Sequence, residues 1–118
     1  MSRLPLCLLA LVAAGAAGAD PARIVAATSA PDGAGRQVSV TLRHGDIGWE
    51  DYADAGRVEL EDGTVLATRE LVHPHVTEQP FTRSLGGVAV PADVDRVHIR
   101  ARTLTGGWGD DRLALPLD

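Results

Sequence analysis

Beyond residue 22, apolar side chains recur at every second position in short runs separated by Gly, Pro and Asp, a period that belongs to half-buried strands and not to helices. The run 37–44 is the clearest. Val38, Val40 and Leu42 fall on one face and Ser39, Thr41 and Arg43 on the other, as in a sheet with one wet side. In 96–103 the same period places Val97, Ile99 and Ala101 inward and leaves His98, Arg100 and Arg102 on a wet face. Val58 and Leu60 alternate with Glu59 and Glu61, and Asp62-Gly63 joins that strand to 64–72 through a predicted type I′ hairpin. Strands over 23–28, 81–90 and 112–117 complete a set of seven, with a strong turn at 30–35. Between 45 and 56 no period survives, so a long loop is expected there, either functional or covering a core edge. Seven short strands in about 100 residues predict an all-β fold: a single antiparallel β-sandwich, immunoglobulin-like or fibronectin-like.

The first nineteen residues follow a different rule. Arg3 supplies a positive start, Leu4 to Ala14 an apolar run, and Ala17-Gly18-Ala19 a small-residue cleavage site, the pattern of a secretory signal peptide. The apolar run is shorter than the roughly 20 residues of a membrane-spanning helix. The division expected is a signal peptide at 1–19 and one domain at 20–118. Cys7 sits inside the leader after Leu4-Pro5-Leu6, not at the cleavage point where a lipidated cysteine would stand, so the mature chain has no cysteine and no thiolate chemistry. All eleven basic side chains are arginine, and asparagine is absent, which removes any glycosylation sequon and favours a bacterial periplasmic or secreted location. The net charge is −5, and −6 once Arg3 is cut away. That balance argues against nucleic acid as a partner and against an anionic membrane once the leader is gone.

The densest chemistry lies in 73–85, His-Pro-His-Val-Thr-Glu-Gln-Pro-Phe-Thr-Arg-Ser-Leu. Together with Gly48-Trp49-Glu50-Asp51-Tyr52-Ala53-Asp54, Asp62-Gly63-Thr64-Val65-Leu66 and Gly106-Gly107-Trp108-Gly109, it resembles a family of small exported proteobacterial proteins. That family has a Gly-Trp-x-x-Tyr-Ala-Asp loop and a His-Pro-His-x-x-Glu-Gln-Pro-Phe-Thr-Arg-Ser-Leu signature. The resemblance covers most of the mature chain and implies export and a single domain. It brings no assigned activity with it.

Three readings of 73–85 stand side by side. His73 and His75, one residue apart in extended chain, present both imidazoles to the same side, and His44 or Glu78 could add the third donor of a Zn²⁺ or Cu²⁺ site. Alternatively the two histidines close a strand end, Pro74 and Pro80 delimit a rigid crossing, Glu78 and Arg83 form a tether, and Phe81 plugs the core. In the third reading the segment is part of a recognition surface, with Arg83 supplying directional donors. Trp49, Tyr52 and Trp108 extend the last possibility, because sandwich loops cluster at two ends and these rings could form an aromatic platform; they could equally be lids over the core. Asp46, Glu50, Asp51, Asp54, Asp110 and Asp111 lack the spacing of a calcium loop and read as solvated acids. Glu59 and Glu61 are expected on an exposed strand face.

No nucleophile elbow, phosphate-cradling glycine loop or HExxH stretch is present, and Ser84 follows Arg83 in a strand where no strained turn is expected. The chain is therefore expected to have no catalytic residues, no obligatory cofactor, and a periplasmic protein or ligand as partner. Its leading function is a non-catalytic binding or protein-interaction module, and the alternative is a Zn or Cu binder built on His73 and His75.

Overall fold

The computed structural model describes residues 20–117; the leader assigned to 1–19 lies outside the described residues. Among the described residues are eight strands: β1 (Arg23–Asp32), β2 (Gly35–Arg43), β3 (Ala53–Glu59), β4 (Val65–Glu70), β5 (Phe81–Val88), β6 (Arg96–Thr103), β7 (Gly107–Trp108) and β8 (Leu113–Pro116). They form two antiparallel sheets. One has the order β1-β2-β5, and the other runs β4-β3-β6, with β7 and β8 both paired to β6. First, second and fifth strands on one side and third, sixth and last on the other is the connectivity of an immunoglobulin-like sandwich, as the alternation predicts.

The core lies between the sheets. Val38, Val40 and Leu42 of β2, with Phe81 and Val88 of β5, share one buried cluster with Val58 of β3, Val97, Ile99 and Ala101 of β6 and Leu115 of β8. Each such Val, Leu, Ile or Phe side chain contributes about 1.5–3 kcal/mol when fully buried. On the outer face of the smaller sheet, Ser39 pairs with Ser84 and Thr41 with Thr82 through hydroxyl contacts of 2.7 Å. Ser84 is thus engaged by a serine, not by a histidine.

The third strand departs most from expectation. It begins at Ala53, inside the stretch expected as a loop, and ends at Glu59. Ala53, Ala55 and Gly56 are buried because small side chains let β3 sit between β4 and β6. A register shift between Val58 and Glu59 then ends the alternation, and Leu60 leaves the strand. The Asp62-Gly63 hairpin forms, with a different turn. Gly63 has φ +92° and among the described residues none other than glycine has positive φ, so a type I′ turn is ruled out. Instead the Gly63 N–H donates to the Leu60 carbonyl at 2.9 Å and the Leu60 N–H to Thr64 at 2.8 Å, a three-residue loop with Gly63 in the left-handed position. Asp62 Oδ1 accepts from both the Thr64 N–H and hydroxyl, and these bonds hold its carboxyl below its usual pKa.

The last strand is interrupted. β7 pairs at Arg102 and Thr103, β8 at 96–99, and the ladder is broken between them, where the Gly109 N–H still donates to the Ala101 carbonyl at 2.9 Å and residues 110–112 make no strand pairing. The expected loop Gly106-Gly107-Trp108-Gly109 therefore includes a short strand, which raises seven strands to eight.

Candidate functional site

Both sheets end together where β2, β4 and β6 finish and β3, β5 and β7 begin. Three connections close this end: 44–52, 71–80 and the turn 104–106. The first two are stitched by one buried carboxylate. Asp46 Oδ1 accepts from the Ala53 N–H at 3.0 Å and faces His44 Nδ1 at 2.7 Å, while Oδ2 accepts from the His75 N–H at 2.7 Å. Gln79 adds a clamp: its Oε1 accepts from the His44 N–H and its Nε2 donates to the His75 carbonyl, both at 2.9 Å. Asp46, expected among solvated acids, is thus a buried organiser. The loop needs it because both residues whose amides it serves are buried, and a buried amide left unpaired costs about 1–3 kcal/mol.

The proposed metal donors all gather at this end, engaged with one another and with the chain. The rings of His73 and His75 face the same way, with centroids 4.6 Å apart, as their spacing predicts. His75 is buried and stacked on Phe81 at 3.9 Å, and its Nε2 accepts from Arg83 Nη2 at 2.7 Å. Glu78 approaches the same Arg83 nitrogen at 3.5 Å, so a guanidinium occupies the place between His75 and Glu78 that a metal cation would take. His44 Nδ1 is committed to Asp46, and its Nε2 faces the Asp20 carbonyl at 3.1 Å. Among the described residues no group of three His, Cys, Asp or Glu side chains is arranged to hold a metal ion. Burial, then the charges of Arg83 and His73, push the His75 pKa below its ordinary value, which keeps the ring neutral and able to accept from Arg83. Its Nδ1 has no hydrogen-bond partner among the described residues and lies 4.0 Å from Asp46 Oδ2.

A second network covers the outer face of the larger sheet, where His98, Arg100, Arg102 and Glu59 were expected to be wet. Glu59 is 0 % exposed. Its Oε2 accepts from Arg57 Nε at 2.6 Å and Arg100 Nε at 2.9 Å, and its Oε1 accepts from Arg112 Nη1 at 3.2 Å. Burial alone would raise the Glu59 pKa, but the bonds from Arg100, Arg57 and Arg112 outweigh it and hold the carboxyl below its usual value. Arg102 bridges Asp54 and Glu70 at 2.8 and 2.9 Å. Trp108 lies under this layer, its ring 4.0 Å from the Arg57 guanidinium and 5.2 Å from that of Arg102. It neither lids the core nor joins Trp49. An open depression of about 410 Å³ beside it is lined by Pro21, Ala22, Ala101 and the 106–111 stretch.

The Trp49 loop and the 104–106 turn are neighbours nonetheless. The Leu104 N–H donates to the Tyr52 carbonyl and the Thr105 hydroxyl to Asp51 Oδ1, both at 2.9 Å. Trp49 meets Tyr52 edge to face at 5.7 Å and stays largely exposed. Four further apolar side chains share this end. Of the seven large hydrophobic residues exposed among the described residues, Ile47, Trp49, Val72, Val76 and Leu104 belong to these three connections. Sequence reading singled out Trp49 and missed the other four. Ile47 beside Gly48-Trp49 in an aperiodic stretch is the signal that could have found them.

No protein-family model matches the chain, and no solved structure matches it. A protein of the halophilic archaeon Halomicrobium mukohataei, named "Putative lipoprotein", is 40 % identical over 79 residues, or 67 % of this chain and 38 % of that protein. The chain is similar to less than half of that relative's length.

Proposed function

We propose that the chain is an exported, envelope-associated β-sandwich that acts by binding, without catalysis of its own, through the end formed by 44–52, 71–80 and 104–106. The observation that carries this reading is the concentration there of Ile47, Trp49, Val72, Val76 and Leu104, each between 48 % and 73 % exposed. Scattered single hydrophobics are ordinary on a protein surface, whereas a concentration of them at one end points to recognition. Export rests on the leader pattern of 1–19 and accords with the name of the archaeal relative. Arg83, held by His75 and Glu78, and the Trp49–Tyr52 pair give the surface its polar and aromatic features.

The test is affinity capture from a bacterial envelope extract with the wild type, Trp49→Ala and Arg83→Ala, each confirmed as folded by its melting transition. Trp49→Ala should lose most of the captured material. Recovery unchanged in both folded variants would remove this end as the binding surface.

A further inference from the structure

We infer that the loop end of the sandwich rests on a lipid bilayer, with Ile47, Trp49, Val72, Val76 and Leu104 entering its interfacial layer. This deepens the binding reading above, on which it rests, by naming the occupant. Sequence charge gave no reason to expect a membrane; the distribution of apolar residues does.

Three observations support a bilayer. First, the exposure is built in. The three connections are tied by Asp46, Gln79 and the Leu104–Tyr52 bond, so their apolar tips have no inward alternative. The backbone near those tips is also satisfied internally, for example Ile47 N–H to Asp51 and Leu71 N–H to Asp54. Such satisfaction is what contact with lipid demands. Second, the aromatic pair suits an interface. Trp49 set against Tyr52 offers apolar ring area with polar N–H and O–H edges, the combination enriched at headgroup level.

Third, the chain enters the fold at this end. The Asp20 carbonyl lies 3.1 Å from His44 Nε2, so the nineteen residues before it, with their apolar run from Leu4 to Ala14, are joined here. Wherever the leader is still attached, it holds this end, not the opposite one, to the lipid. Charges of both signs flank the tips, including Arg43, Glu50 and Glu78. Apolar insertion therefore provides the affinity, with little dependence on anionic lipid or salt.

The two tryptophans make the test direct. The full chain, recovered from an exporting bacterium and weighed by mass spectrometry to establish whether 1–19 is still attached, is mixed with vesicles carrying brominated acyl chains. One set is phosphatidylcholine and the other contains added phosphatidylglycerol. Wild-type fluorescence should be quenched on both, and Trp49→Phe, which keeps only Trp108 beneath Arg57, should not be. Ile47→Ser/Val72→Ser should lower vesicle partitioning about tenfold, the effect of about 1.4 kcal/mol. Absence of quenching in the wild type overturns the proposal, as does flotation that ignores the Ile47→Ser/Val72→Ser change and follows only the presence of 1–19. If quenching is absent while Trp49→Ala still abolishes envelope capture, the binding reading survives with a protein as occupant. If both fail, both readings fall.

Discussion

Asp46 and Glu59 are each a buried carboxylate serving several donors, yet they hold the molecule together in opposite ways. Asp46 accepts from the main chain at two separate places, Ala53 at the start of β3 and His75 in the 71–80 connection, and abuts the His44 ring. Its donors are fixed by the backbone and cannot turn elsewhere. Glu59 accepts from Arg57, Arg100 and Arg112, long side chains that cross the outer sheet face and remain about one-fifth to one-quarter exposed. Those donors can swing to water when the carboxylate is removed. One network fixes where loops go, and the other roofs a sheet already formed by its backbone ladder.

The largest expected effect is therefore at Asp46. Asp46→Ala should lower unfolding stability by about 3–4 kcal/mol, the cost of stranding at least two buried donors, measured as a drop in the urea midpoint. Glu59→Gln, which keeps the shape and removes the charge, should cost about 1–2 kcal/mol, below the usual penalty for breaking a buried ion pair, because its partners reach solvent. A Glu59→Gln loss exceeding that of Asp46→Ala would reverse the comparison.

The smallest effect separates the two regions by pH. The folded pKa of His75 lies below 6.5, so above that value the ring is neutral in both states and stability is flat. As pH falls from there towards the folded pKa, the unfolded chain binds a proton that the native ring refuses, and stability declines. The folded pKa of Glu59 lies below 4.5, so the contribution of its ionised form is complete above 4.5 and is lost as pH falls through the folded value. Urea midpoints followed from pH 8 to pH 3 should decline in two stages. His75→Gln should flatten the upper stage and Glu59→Gln the lower. An upper stage that persists in His75→Gln would assign it to another group at that end.

The sandwich was legible wherever branched aliphatics mark every second position, as in Val38-Ser39-Val40-Thr41-Leu42 and Val97-His98-Ile99. It was hidden in β3, where Ala53-Asp54-Ala55-Gly56 bury side chains too small and mixed to print a period. The histidine pair was legible too, since one intervening residue in extended chain is a purely local rule. The partners of the carboxylates were not. Asp46 meets His75 across 29 positions, and Glu59 meets Arg100 and Arg112 across 41 and 53. Such pairings depend on strand order and on the shift after Val58, which no local pattern encodes. A charged residue beside an alternating strand reads as wet until the sheet supplies three arginines to cover it.

The break between β7 and β8 has a bearing on how the molecule behaves in a crowd. A sheet border with a continuous row of free amides and carbonyls invites strands from other chains, and proteins commonly blunt such borders with lysine. This chain contains no lysine. Its larger sheet instead ends in a two-residue piece and a four-residue piece, and Arg100 takes the Gly109 and Asp110 carbonyls in the gap at 2.6 and 3.3 Å. A foreign strand arriving along that border finds no stretch long enough to zip against, so the interruption guards this one edge of the larger sheet against edge-to-edge pairing.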